Sequence, residues 1–193
     1  MDLITIFLTT FGLIFIGELG DKTQIAAGTG TLANKKKVRL IFFSSALALV
    51  AVAGLTVFGA GFISKELIPT IERVGGVLLV LYGLYLYSNA DDSISGEVGE
   101  IPKNNYVLFI SHFSVVFAAE LGDKTQIATL AVAVKNQTHL LTVFSASALA
   151  LVTVTAITVW GITKIPSRWV KNVQRMGALG MIAYGIYMFY STT

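Results

Sequence analysis

The chain has 193 residues, 54% of them hydrophobic and only 13% charged, with a mean hydropathy of +0.74. A soluble domain of this size carries roughly 25% charged residues, so the composition excludes a soluble globular protein and points to an all-α integral membrane protein. The absence of cysteine excludes disulfides and thiolate metal sites, and the formal charge of +3 lies in short loops, where it reports topology rather than nucleic-acid binding.

Six apolar segments are each long enough to span a bilayer, which takes about 20 residues. The first is expected over about 3–32. The chain opens Met1-Asp2-Leu3, with an acid where a signal peptide carries basic residues, so this segment is read as a retained spanning helix. The basic run Asn34-Lys35-Lys36-Lys37-Val38-Arg39 follows, then a second segment over about 40–63. A loop from Ser64 to Glu72, containing Pro69, precedes a third segment over about 73–88, glycine-rich early and tyrosine-rich late. Asn89 to Asn105 is a polar linker with Asp91, Asp92, Glu97 and Glu100. The fourth segment is expected over about 106–134, and the fifth over about 140–163 after a short Lys135–His139 loop. The sixth is expected over about 176–190, after a basic loop from Lys164 to Arg175.

Two of these segments share nine residues. Glu18-Leu19-Gly20-Asp21-Lys22-Thr23-Gln24-Ile25-Ala26 recurs 102 positions later as Glu120-Leu121-Gly122-Asp123-Lys124-Thr125-Gln126-Ile127-Ala128. The offset holds without a gap. Ser45-Ala46-Leu47-Ala48-Leu49-Val50 matches Ser147-Ala148-Leu149-Ala150-Leu151-Val152, Arg73 and Gly75 match Arg175 and Gly177, and Tyr82-Gly83-Leu84-Tyr85 matches Tyr184-Gly185-Ile186-Tyr187. Chance hydropathy does not align charged, glycine and tyrosine positions. The chain is therefore a duplicated three-helix unit, with residues 1–88 as the first repeat, 89–105 as an acidic linker and 106–193 as the second repeat. Three spans is an odd number, so the second copy must enter the membrane inverted. The predicted architecture is six transmembrane helices as two inverted three-helix repeats. One side then collects Lys35, Lys36, Lys37, Arg39, Lys103, Lys164, Arg168, Lys171 and Arg175, and the other only Lys65, Arg73 and Lys135. The positive-inside rule makes the richer side, and with it the acidic linker, cytoplasmic. Both termini are then on the non-cytoplasmic side.

Each motif places a Glu, an Asp and a Lys deep in an apolar segment. Ionisable groups there are costly and mark a functional site, most often a transport path. On an unbroken helix, at about 100° per residue, Glu18, Asp21 and Lys22 share an arc of roughly 100°, with Gln24 about 60° beyond Asp21. Gly20 allows a bend or a close backbone approach. Inversion brings the motifs together near the midplane, so the expected metal ligands are Glu18, Asp21, Gln24, Glu120, Asp123 and Gln126, supported by Lys22, Thr23, Lys124 and Thr125. An all-oxygen set suits Mn²⁺, Ca²⁺ or Mg²⁺ rather than Zn²⁺ or Cu⁺. Four carboxylates and two lysines sum to −2, which one divalent cation or two protons neutralise. Crowded carboxylates away from water pick up protons when a metal leaves, so metal and protons are expected to compete for one cluster. Lys22 and Lys124 would be tethered counter-ions of its metal-free state. A purely structural pairing of Glu18 with Lys22 and Glu120 with Lys124 leaves Asp21 and Asp123 unexplained. Ser45 and Ser147 sit at equivalent places on segments two and five; they are supporting candidates, although small residues in membrane helices ordinarily serve packing. His112 is unrepeated and is read as structural. The tyrosines ending segments three and six form an interfacial belt.

The duplicated Glu-x-Gly-Asp-Lys/Arg-Thr/Ser motif, on the first helix of each of two three-helix repeats, resembles the GDT1 family of membrane cation transporters over nearly the whole chain. The resemblance implies a secondary active transporter rather than an enzyme, exchanging Mn²⁺ and/or Ca²⁺ for protons. It places the motif acids, here Glu18, Asp21, Glu120 and Asp123, at the cation site. No cofactor is expected, since the metal is substrate and H⁺ the coupling ion. The compact length resembles prokaryotic members, mostly associated with Mn²⁺ export, which implies the cell (inner) membrane. The fusion of two repeats implies that a monomer can be complete, with an oligomer left open. The rival readings are an exporter of basic amino acids, with Lys22 meeting the substrate carboxylate, and a cation channel using the same site. A protease dyad of Asp21 and Asp123 fits poorly beside the extra Glu and Lys.

Overall fold

The computed structural model describes residues 2–18, 37–64, 66–88, 104–161 and 167–191. Leu3–Glu18 forms α1, Val38–Ala60 α2, Ile68–Ser88 α3, Asn105–Glu120 α4, Lys124–Lys135 α5, Leu140–Gly161 α6 and Ser167–Ser191 α7, with a 3-10 turn at Gln137–His139. Among the described residues there is no strand.

The first helix of each repeat starts at an Asx residue, and the two are 102 positions apart. Asn104 accepts from the backbone N–H of Tyr106 (2.9 Å) and Val107 (3.4 Å), closing the first turn of α4. Asp2 accepts from the Thr5 hydroxyl through its carboxylate and from Ile6 N–H through its carbonyl (3.1 Å). Inside the helices, buried hydroxyls return to carbonyls one turn back, as Thr10 to Ile6 (2.6 Å) and Thr155 to Leu151 (2.7 Å). That keeps polar groups satisfied where no water reaches.

Helix α2, residues Ile68–Tyr85 of α3 and residues Gln137–Gly161 are long and apolar enough to cross a membrane. Helices α4 and α5 make a fourth span if taken together, although they are bent by 67°. Helix α1 and Ala178–Tyr190 are shorter apolar helices. The outward faces are also apolar: Leu47 and Leu149, equivalent in the repeat, are 53% and 50% exposed. Such surfaces suit lipid and not water. The chain is a multi-pass membrane protein.

Three expectations need correction. Helix α3 begins at Ile68, so Pro69 lies in a helical first turn, where its missing N–H costs nothing, and Glu72 is helical rather than in a loop. Helix α7 begins at Ser167, so the stretch expected as a basic loop up to Arg175 is helix from that point on. In both cases the charges mark where the apolar slab ends, not where the helix ends. The fourth segment is two helices, not one. The first segment beyond Glu18 and the central linker up to Lys103 lie outside the described residues.

Helix α3 packs on α7, α2 on α6, α1 on α6 and α7, α4 on α2, and α5 on α1, α2 and α3. The α3–α7 seam is a glycine contact: a Cβ added at Gly76 would stand 2.7 Å from the Gly185 carbonyl oxygen, and one at Gly83 would stand 2.8 Å from that of Ala178. Position numbers rise along α3 as they fall along α7, so the two helices run antiparallel. Arg175, 5.4 Å from the centre of the Tyr87 ring, continues the order. Helices α2 and α6 behave alike, with Phe58 against Phe144 (5.2 Å between ring centres) and Phe42 against Trp160 (4.7 Å). Adding 102 to one partner and subtracting it from the other converts Gly76–Gly185 into Gly83–Ala178, and Phe58–Phe144 into Phe42–Trp160. One core holds Ile14, Leu49, Ala53, Leu79, Ala128, Ala150, Leu151 and Met188, drawn from both repeats.

Candidate cation site

Helix α4 stops at Glu120 because Leu121 turns extended (φ −65°, ψ 112°) and Gly122 takes φ 84°. That conformation costs an L side chain about 1–2 kcal/mol and glycine little. The chain re-enters helix with Asp123 as N-cap, its carbonyl accepting from the N–H of Gln126 (2.9 Å) and Ile127 (3.3 Å). The motif glycine is thus a hinge between two helices. The shared arc expected on an unbroken helix does not apply to the second copy.

An aspartate at an N-cap ordinarily folds its carboxylate back onto the first-turn amides. Asp123 makes no such bond. One ligand oxygen each from Glu18, Glu120 and Asp123 lies within 4.8 Å of the other two. Glu18 is fully buried and Glu120 is 2% exposed. The structure therefore joins the equivalent glutamates of the two motifs with the aspartate of the second. Gly17, beside Glu18, faces the same packing: a Cβ there would lie 2.7 Å from the Met181 methyl and 3.5 Å from Thr125 Cγ2. At this spacing each pair of ionised carboxylates repels by roughly 3 kcal/mol at an effective dielectric near 20. A bound cation, protons or a lysine counter-ion would each lower that repulsion. The last turn of α4 also ends here; the carbonyls of Phe117 and Glu120 accept from the N–H groups of Leu121 and Asp123 (3.2 Å each). Broken helices in transporters supply cation ligands at such breaks.

Thr125 is buried, and its Oγ1 has no hydrogen-bond partner among the described residues, which leaves a hydroxyl beside the carboxylates uncommitted. Gln126, 8% exposed, is bonded through its side-chain amide to the Thr56 hydroxyl of α2. Ser147 is fully buried, with no hydrogen-bond partner for its Oγ among the described residues. Ser45 is engaged elsewhere, its Oγ 2.9 Å from His112 Nε2. Asp21, Lys22, Thr23 and Gln24 lie outside the described residues, as does the side chain of Lys124.

Sequence reasoning passed over Thr56 and Glu72. Thr56 had a signal, since Thr158 stands at the repeat offset. Glu72 had none, because position 174 is glutamine. It is only 7% exposed and lines a cavity of about 300 Å³ with Pro69, Lys135, Gln137 and Thr138. Lys135 Nζ stands 4.3 Å from the centre of the Tyr187 ring.

Residues 6–93 and 108–193 match the family profile described as "Divalent cation/proton antiporter GDT1". "GDT1-like protein C17G8.08c" of Schizosaccharomyces pombe is 24% identical, over 98% of this chain and 83% of its own length. A Vibrio cholerae protein called "Putative manganese exporter" is 32% identical, over 67% of this chain and 60% of its own. "Protein PAM71-homolog, chloroplastic" of Arabidopsis thaliana is 27% identical over 65% of this chain; the match spans only 43% of that protein. No solved structure matches the chain.

Proposed function

The chain belongs to the GDT1 family of divalent cation/proton antiporters, and on that premise we propose that it exports Mn²⁺ from the cytoplasm across the cell membrane in exchange for protons, Ca²⁺ being the second candidate ion. The observation that carries this reading is the buried meeting of Glu18, Glu120 and Asp123, from both motifs, within 4.8 Å. Three acids without Cys or His suit a hard, oxygen-seeking divalent cation. Asp21, by the repeat, is assigned as the fourth acid. Cation and protons alternate at the cluster, because either one offsets the repulsion and an empty charged cluster is costly. The Vibrio relative's name favours manganese over calcium.

The exchanged contacts of α3–α7 and α2–α6 support two inverted three-helix halves, since equivalent helices run antiparallel. Ser45–His112 and Thr56–Gln126 occur in the same order along both partners, so α2 runs parallel to the α4–α5 limb, in keeping with second and fourth spans of six. The carboxylate cluster disfavours a basic amino acid, whose own carboxylate would have to approach three others.

The test is flux in proteoliposomes with an internal pH dye, offering Mn²⁺ and Ca²⁺ in turn to wild type and Asp123→Asn. Cation movement with opposite proton movement, lost in the variant, is the expected result. Flux without protons would make the protein a channel or uniporter, and absence of flux of both ions would overturn the reading.

A further inference from the structure

Three buried threonines serve their own helices. Thr10 donates to the carbonyl one turn back at 2.6 Å, and Thr129 and Thr155 do so at 2.7 Å. Their equivalents at the 102 offset are His112, Ala27 and Ala53, so the duplication keeps none of these hydroxyls as threonine. Thr56 departs from both habits. Its hydroxyl crosses from α2 to α5 and donates to the side-chain oxygen of Gln126, and it also lies 3.0 Å from the Val52 carbonyl one turn back. Its equivalent is Thr158, and that of Gln126 is the motif residue Gln24, so the sequence repeats both members of the pair.

The place of Gln126 gives that contact a use. Gln126 is buried and stands three positions after Asp123 in the first turn of α5, its N–H donating to the Asp123 carbonyl (2.9 Å). Side chains three apart on a helix are neighbours, with Cβ atoms about 5–6 Å apart. A glutamine at this third position is the residue that reaches back over the N-cap in a capping box. Here the N-cap is Asp123, one of the three cluster acids, and the amide is bonded to Thr56 instead. A carboxamide also has unlike ends, an oxygen that accepts and an NH2 that donates. A hydroxyl carries one hydrogen and can accept as well. Thr56 therefore matches either end of the amide: it donates to the oxygen, or it accepts from the NH2 while its own hydrogen goes to the Val52 carbonyl.

We infer that Thr56 is a positioning residue that lets the Gln126 amide serve the carboxylate cluster with either end. The inference rests on the cation-transport reading. Thr56 donating to the Gln126 oxygen leaves the NH2 end as a donor, which suits ionised carboxylates with no cation between them. For a bound divalent cation the amide turns over. Its oxygen becomes a neutral ligand, which a hard cation taking six or more oxygens accommodates beside the acids. Its NH2 then donates to the Thr56 oxygen, and the Thr56 hydrogen turns to Val52. The Gln126 amide and the Thr56 hydroxyl stay bonded in both arrangements, so neither carries the cost of a buried polar group left without a partner. A carboxylate at 126 lacks the donor end, and valine at 56 supports neither arrangement.

The experiment is equilibrium Mn²⁺ binding to the purified full chain, run as a double-mutant cycle: wild type, Thr56→Val, Gln126→Leu and the two together, with Thr56→Ser as the variant that keeps a hydroxyl. Thr56→Val should bind Mn²⁺ about 10-fold more weakly, the scale for a group that orients a metal ligand. Gln126→Leu should lose at least as much. The double variant should bind no more weakly than Gln126→Leu, because Thr56 acts through the amide. Thr56→Ser should lose less than Thr56→Val. Losses that multiply in the double variant would show that Thr56 acts by packing and would overturn the proposal, as would wild-type affinity in Thr56→Val. Should Thr56→Val not fold, Gln126→Leu decides: wild-type affinity there overturns the proposal, and a loss of about 10-fold or more supports it. Wild type binding neither Mn²⁺ nor Ca²⁺ would sink the cation reading itself, whereas multiplying losses from a tightly binding wild type would leave that reading standing.

Discussion

The pair α2–α4 and its repeat counterpart α6–α1 share a sequence pattern and differ in chemistry. In the first, Ser45 holds His112; in the second, Ser147 has no hydrogen-bond partner among the described residues and Thr10 satisfies itself on its own helix. The motif glutamates, by contrast, are duplicated and meet at one place, as are the glycine and aromatic seams. Duplication is thus kept at the carboxylate cluster, the proposed cation site, and along the glycine and aromatic seams. It is abandoned at other positions: His112 stands against Thr10, and Glu72 against Gln174.

The largest test of that division is at the cluster. Glu18→Gln and Glu120→Gln should each lower Mn²⁺ flux by at least about 10²-fold, more than is typical for removing a residue that merely supports a ligand. The two losses should be alike; a variant that keeps wild-type flux would show that only one motif binds. Next come the seams. Gly185→Ala places a Cβ 2.5 Å from the Gly76 carbonyl oxygen, and Gly76→Ala meets Gly185 in return at 2.7 Å. Each should destabilise by about 1–3 kcal/mol in thermal unfolding, whereas Gly12→Ala, with nothing within 4 Å, should not. The smallest effect is at the two helix starts. Asn104→Ala should cost about 1 kcal/mol at every pH. Asp2 differs because the Thr5 hydroxyl holds its carboxyl below the ordinary 3.8. Its folded value lies under its unfolded one, so its contribution is present above 3.8 and fades as pH falls through the folded value. Thr5→Ala should therefore lower stability slightly at neutral pH and make no difference once pH is below the folded value.

The repeat, the membrane class and the paired motifs were legible because each is a statement about residue identity and spacing. The glycine hinge was half legible: Gly20 suggested a bend, but only the backbone at Gly122 shows that it makes Asp123 an N-cap. Helix starts at Ile68 and Ser167 were hidden because hydropathy reports depth in the bilayer, and helices continue past it into charged turns. The burial of Glu72 and the partner of His112, a residue read as structural, were illegible for one reason. Neither residue recurs, and burial beside Lys135 or a bond to Ser45 exists only once the helices are packed.

The α2–α6 seam carries a ring pair near each end and the fully buried Ala53 and Ala150 between them. In mechanical terms it is a lever with a small-residue fulcrum and a stop at each tip. Tilting α2 against α6 loosens Phe58–Phe144 as it compresses Phe42–Trp160, and the opposite tilt does the reverse. In the proposed antiporter, a seam with matched ends would leave the direction of lean to the ion gradients.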